Sequence, residues 1–117
     1  MSVNKESYNS VKKIDGKKLR KMIYSSLEYL KDKKSYIDSL NVFPVPDGDT
    51  GTNMYLTYKE AVQEVKKSKS DRVDKITSAM AQGALMGARG NSGVILSQLL
   101  RGFSQANENA QDRKSVV

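Results

Sequence analysis

Apolar residues recur along the chain at intervals of three and four, the spacing of an α-helix that turns one side toward a core. Leu19, Ile23, Leu27 and Leu30 mark the first such stripe, with Met22 and Tyr29 beside it and Asp15 placed to cap its start. Lys31, Lys33 and Lys34 close it, where cations complement the negative end of a helix dipole. A second helix is expected from near Thr52, with Met54, Ala61 and Val65 on one face and Tyr58 and Val62 alongside. Ser68 to Ser70 make a polar turn. Asp71 is then set to cap a third helix, which carries Asp74 in its first turn and Val73, Ile76, Met80 and Ala84 on one face. A fourth starts at Gly93 or Val94 and runs through Ile95, Leu96, Leu99 and Leu100 to Phe103. It is apolar nearly all round and should be central. No stretch alternates with period two for long enough to form a strand, so the expected class is all-α.

At 117 residues the chain is at most one small domain. Residues 1–13 read as a flexible arm, 14–104 as the structured part, and 105–117 as a disordered tail. The last six residues, Asp112 to Val117, can be encoded by a common sequencing adapter. Native sequence is therefore expected to end near Gln111, with an ordinary frayed terminus as the alternative.

Composition narrows the chemistry. There is no cysteine, which excludes disulfides and thiolate metal sites, and no histidine, which removes the commonest general base and imidazole ligation. Hard oxygen ligands are the metal chemistry that remains. The net charge of +7 invites a nucleic-acid or membrane reading. The early basic residues, Lys12, Lys13, Lys17, Lys18, Arg20 and Lys21, flank an apolar stripe and are mixed with acids. A solvated helix face explains them, and no aromatic-interleaved basic strand or groove-reading motif accompanies them. Met1 to Ser10 is polar, and no apolar run approaches the ~20 residues that cross a bilayer. A cytoplasmic protein without membrane insertion or a nucleic-acid partner is the expectation.

Two connections break the helical pattern, each feeding straight into a helix. The first runs from Asn41 to Met54 through Pro44, Pro46, Asp47, Gly48 and Asp49. Two carboxylates separated by one glycine can turn to the same side of a tight loop, and such a like-charged pair is costly without a cation. Mg²⁺ suits it, because that ion takes one or two protein carboxylates and fills its shell with water and phosphate. Thr50, Gly51, Thr52 and Asn53 follow as amide and hydroxyl donors at a helix N-terminus, a favourable place for phosphate. An Asp-Gly turn of no further consequence is the competing explanation. An EF-hand does not fit, since counting from Asp47 its glycine position holds Thr52 and its glutamate position Tyr58.

The second connection clusters Gly83, Gly87, Gly90 and Gly93 around Asn91 and Ser92. Glycine allows close approach of backbone to a ligand, but no Gly-Lys-Ser/Thr ending makes this a P-loop. Close helix packing through small residues is the alternative, above all for Gly83, and Arg89 either meets a phosphate or faces water.

Together the loops, with Gly87-Ala-Arg-Gly-Asn-Ser-Gly-Val-Ile-Leu-Ser-Gln98 and Leu-Arg-Gly-Phe103, resemble the dihydroxyacetone kinase L-domain family. Within it the ATP-binding subunit of bacterial fatty acid kinase is most similar, over roughly residues 14–104. The resemblance implies an antiparallel barrel of α-helices, here incomplete, with ATP and two Mg²⁺ ions at one mouth. Asp47 and Asp49 match the metal-holding aspartates. A third family aspartate has Asn41 as its nearest counterpart, offset by one residue and able to offer only an uncharged oxygen. Thr50, Gly51, Thr52, Asn53 and Met54 match the phosphate-contacting element, and Gly90, Asn91, Ser92 and Gly93 the loop over the phosphates. The implied reaction moves the ATP γ-phosphoryl to a fatty acid carboxylate presented by a separate fatty-acid-binding protein. A glycerone kinase subunit working with a dihydroxyacetone-binding partner is the alternative, and a basic helical module for nucleic acid or acidic membrane a third. A homodimer stays open. The family domain is longer than this chain, so weak nucleotide binding without turnover is expected of it.

Overall fold

The computed structural model describes residues 14–40, 48–108 and 115–116. Four helices carry the fold: α1 (Gly16–Leu40), α2 (Thr50–Lys67), α3 (Val73–Met86) and α4 (Gly90–Glu108). A two-residue antiparallel pairing, β1 (Ile14–Asp15) with β2 (Ser115–Val116), sets Ile14 opposite Val116. The fold is all-α, as the periodicity predicts.

Helix α2 is the hub, packed against α1, α3 and α4. Its Ala61, Val62 and Val65 join Leu19 and Ile23 of α1 and Val73, Ile76, Met80 and Ala84 of α3 in one buried core. Ala61 and Gly83 let α2 and α3 come close. A Cβ on Gly83 would stand 2.7 Å from the Glu60 carbonyl oxygen and 2.9 Å from the Ala61 Cα. Gly83 is therefore a packing residue.

The helix ends depart from the sequence reading in instructive ways. Asp15 caps α1 as expected, accepting the Lys18 amide at 2.8 Å. The helix does not stop at the lysines, however, but runs on to Leu40 with no basic residue in its last turn. Ile37 continues the apolar stripe of Leu27 and Leu30, and lysine is itself a good helix former. Two of these lysines lie over aromatic rings instead: Lys34 4.8 Å from the Tyr55 centroid and Lys33 5.7 Å from that of Tyr29.

Asp71 does not cap α3. The capping position falls to Arg72, which makes no side-chain cap, and the Asp71 carboxylate sits 3.7 Å from Arg20 Nε. Asp74 is in the first turn as expected, nearly buried, and held by Arg72 through hydrogen bonds of 3.0 and 2.9 Å.

Arg20 is no part of a solvated basic face. Its guanidinium donates to the carbonyl oxygens of Val65, Ser68 and Ser70 at 2.8, 2.7 and 2.6 Å and clamps the connection between α2 and α3.

Helix α4 reverses its expected placement. Its buried residues are Gly93, Ser97, Ser104 and Asn107, while Val94, Ile95 and Leu99 are 51–66% exposed. Small residues admit the close approach to α2 and α3; Leu100 still packs against the core, while Val94, Ile95 and Leu99 are left outside it. The helix also continues through residues 105–108, which the sequence reading assigned to the tail.

Candidate functional site

The two irregular connections meet at the N-termini of α2 and α4. Asn41 and Asp47 lie outside the described residues, so the acidic turn is seen from Gly48 onward. Gly48 has φ +66°, a left-handed turn that glycine adopts without strain. Asp49 then occupies the N-cap position of α2, yet its side chain makes no cap hydrogen bond and is exposed. Among the described residues no three acidic side chains gather into a metal-holding group.

The first turn of α2 is tied on both sides. Gly51 is buried against α1, where a Cβ would meet the Lys34 carbonyl and stand 2.9 Å from the Ile37 Cβ. Thr52 directs both its donors to Asp38, the amide to Oδ1 at 2.9 Å and the hydroxyl to Oδ2 at 2.5 Å. The Asn53 amide opens the helical ladder by donating to the Asp49 carbonyl at 2.9 Å.

The glycine loop closes on the other side of the same turn. The Ser92 hydroxyl donates to the Thr50 carbonyl at 3.2 Å. Gly90, with φ +65°, lies against Asn53, and a Cβ there would stand 2.5 Å from Asn53 Nδ2. Gly93 is buried on Thr57, whose hydroxyl oxygen fills the space a Cβ would need. That oxygen accepts the Arg89 amide at 3.0 Å, while the Arg89 side chain is exposed. Asn91 is exposed at the rim. Met54 lies one turn in, lining an apolar hollow with Ser92, Ile95 and Leu99. Thr50, Asn53, Gly90, Ser92 and Gly93 are thus brought together, with Asp49 at the edge.

The family described as DAK2 domain matches residues 44–116, a span that takes in the first connection from Pro44 onward, the glycine loop and three of the four helices. The chain belongs to the DAK2 domain family. This DAK2 domain chain is 50% identical over 107 residues to the protein YloV of Bacillus subtilis, an alignment covering 92% of the chain and 19% of that relative. An uncharacterised Staphylococcus saprophyticus protein is 51% identical over 98 residues, covering 84% and 18% respectively. One from Staphylococcus aureus strain USA300 is 47% identical over 107 residues, covering 92% and 20%. The chain spans about a fifth of the length of these curated relatives. DAK2 is a kinase-related family.

Two residues that organise this DAK2 site escape a reading of the sequence. Thr57 is fully buried among apolar neighbours of α2, and its partner Arg89 is 32 residues away. Asp38 precedes the loop by only a few residues, but it lies beyond the lysines at which the spacing predicts α1 to end and outside both loop motifs. The Thr52 hydroxyl, then the Thr52 and Gly51 amides and the Lys34 ammonium, hold the Asp38 carboxyl below its ordinary 3.8 against the opposing effect of desolvation. Among the described residues no helix is long and apolar enough to cross a membrane.

Proposed function

We propose that the chain is the nucleotide-binding part of a Mg-ATP-dependent phosphotransferase whose acceptor is a fatty acid carboxylate on a separate lipid-binding protein. One observation carries the reading. The glycine loop is docked on the first turns of α2 through Gly90, Ser92 and Gly93, beside an N-cap aspartate whose carboxylate does not cap. Membership of a kinase-related family and the matching loop residues support it.

The donor set fits magnesium. Asp49 offers an exposed carboxylate oxygen, and Asp47 and Asn41 are the companions that the motif supplies. Thr50, Gly51, Asn53 and Met54, with Gly90, Asn91, Ser92 and Gly93, would line the phosphates, while Thr52 has both its donors on Asp38. Magnesium, when bound, supplies charge neutralisation to the phosphate oxygens. The chain's own residues position. Exposed amides at the start of α4 favour an anion, and the Gly90–Asn53 contact fixes their distance from α2.

Phosphoryl transfer depends mostly on positioning and electrostatics. In the proposed reaction a carboxylate oxygen bonds to the γ-phosphorus while the bond to the bridging oxygen of ADP breaks. A carboxylate acceptor is already ionised at neutral pH, so the absence of histidine poses no difficulty. A hydroxyl acceptor such as dihydroxyacetone would require a base from a partner subunit. The basic-module reading is weakened by Arg20, which serves backbone carbonyls instead of the surface.

Calorimetry on the complete protein tests the reading. Asp47→Ala and Asp49→Ala are each expected to abolish Mg²⁺-dependent nucleotide binding. Unchanged affinity in either variant would remove the metal assignment.

A further inference from the structure

We propose that Asp38 is a positioning residue: it caps α2 from the end of α1 and thereby leaves the Asp49 carboxylate free to meet a cation. The inference rests on the magnesium reading above and adds a residue that neither the loop motif nor the family match singles out.

An aspartate at the N-cap ordinarily folds its carboxylate back onto the amides of the second and third helical residues. In α2 those residues are Gly51 and Thr52, and Asp49 is the N-cap. Asp49 nevertheless makes no such bond, and the donor of the third helical residue, the Thr52 amide, is held by Asp38. Asp38 Oδ1 accepts the Thr52 amide at 2.9 Å, and Oδ2 accepts the Thr52 hydroxyl at 2.5 Å. The positive end of the helix dipole is thus satisfied by a residue 14 positions upstream of Thr52.

The acidic turn runs beside the same residue: a Cβ on Gly48 would be 3.8 Å from the Asp38 backbone carbonyl oxygen. Thr52 in turn acts on this clip and not on a phosphate, which leaves phosphate donation to Thr50, Asn53 and the glycine loop.

Remove Asp38 and the vacant amides have a substitute within reach. Asp49 can fold back as an ordinary cap, which preserves the helix and withdraws the carboxylate from the cation. Loss of Asp38 is therefore expected to act on metal-dependent binding far more than on folding.

The ¹⁵N-labelled 117-residue chain allows the test by NMR, following the amides of Thr50 to Asn53 during titration with ATP, once with Mg²⁺ and once with EDTA. In Asp38→Ala the Mg-ATP affinity should fall roughly ten-fold, the scale set by a competing side-chain cap. The metal-free affinity should stay within about two-fold, since that cap leaves the phosphate donors of the glycine loop in place. Asp38→Asn, which can still accept the Thr52 amide, should recover most of the loss. Thr52→Val removes only the hydroxyl from the clip and should shift Mg-ATP affinity in the same direction by less, which keeps the test valid should Asp38→Ala fail to fold. Wild-type Mg-ATP affinity in Asp38→Ala or in Thr52→Val overturns the proposal. So does an Asp38→Asn as weak as the alanine variant, because a charge-dependent ligand is then the simpler account. If the wild-type chain shows no Mg²⁺-dependent binding at all, the nucleotide reading fails, and the role of Asp38 with it.

Discussion

Arg20→Ala is expected to lower the unfolding free energy by about 3 kcal/mol, and the figure follows from what the guanidinium holds. Three carbonyl oxygens, those of Val65, Ser68 and Ser70, accept from it at 2.6–2.8 Å. Each bond from a charged donor contributes roughly 1.5–3 kcal/mol when water is excluded. The Arg20 side chain retains 17% of its exposure, so water can reach part of the vacated site and the lower end of that range applies. The 3.7 Å approach to Asp71 adds little, because that carboxylate is about half exposed. Three bonds at the low end would give roughly 4.5 kcal/mol, which rehydration of the outermost carbonyl brings to about 3. Arg20→Lys should recover only about 1 kcal/mol, since one ammonium cannot span three carbonyls as a planar fork does. Urea unfolding followed by circular dichroism at 222 nm measures both variants. An alanine variant within about 0.5 kcal/mol of wild type, the usual range of a surface substitution, would refute the clamp, as would a lysine variant equal to arginine.

The glycines divide into those that fix the site and those that do not. Gly90→Ala places an L-residue at φ +65° and its Cβ 2.5 Å from Asn53 Nδ2, so a loss of about 1–2 kcal/mol from the backbone alone is expected, together with loss of the Mg-ATP shifts in NMR. Gly102→Ala, with nothing within 4 Å inside a helix, should instead stabilise the chain by about 0.5–1 kcal/mol in the same urea assay and leave those shifts intact. Asp38 sets a pH dependence. Its folded-state pKa lies below the ordinary 3.8, so its stabilisation is complete above that value and is lost as pH falls through the folded one. Urea midpoints taken from pH 5 downward should decline more in wild type than in Asp38→Asn, and identical slopes would contradict the assignment.

The core was legible because large apolar residues at helical spacing have few other places to go. Val73, Ile76, Met80 and Ala84 are all buried, as their spacing on α3 requires. The same logic fails for α4. There Val94, Ile95 and Leu99 carry the hydrophobic signal, but the seam is made by Gly93, Ser97 and Ser104, whose value lies in how close they let two backbones come. A pattern that counts apolar bulk cannot see a contact made by lack of bulk. The lysines of α1 misled in another way. A basic cluster resembles a helix end, yet Ile37 and the rings of Tyr29 and Tyr55 give the following turns and the lysine stems something to pack on. In the site, Thr50 to Asn53 and Gly90 to Gly93 stood out as motifs. Asp38 and Thr57 did not, because each is a polar residue whose partner is brought to it only by folding.

That small-residue seam also explains how the two loops come to share one site. Gly93 has no side chain to hold α4 away from α2, so the helix settles directly on Thr57. The Thr57 oxygen then accepts the Arg89 amide, fixing the residue just before α4 begins. With that anchor set, Gly90 falls against Asn53 and Ser92 reaches the Thr50 carbonyl. A larger residue at position 93 would move the whole start of α4 outward, because Thr57 is buried and cannot yield. The separation of the two helix N-termini is therefore set by packing one turn below them. Asp38 works by the same logic from the α1 side, taking the capping donors so that the exposed residues need not. Asp49 at the rim can then stay uncapped because the residues beneath it are engaged.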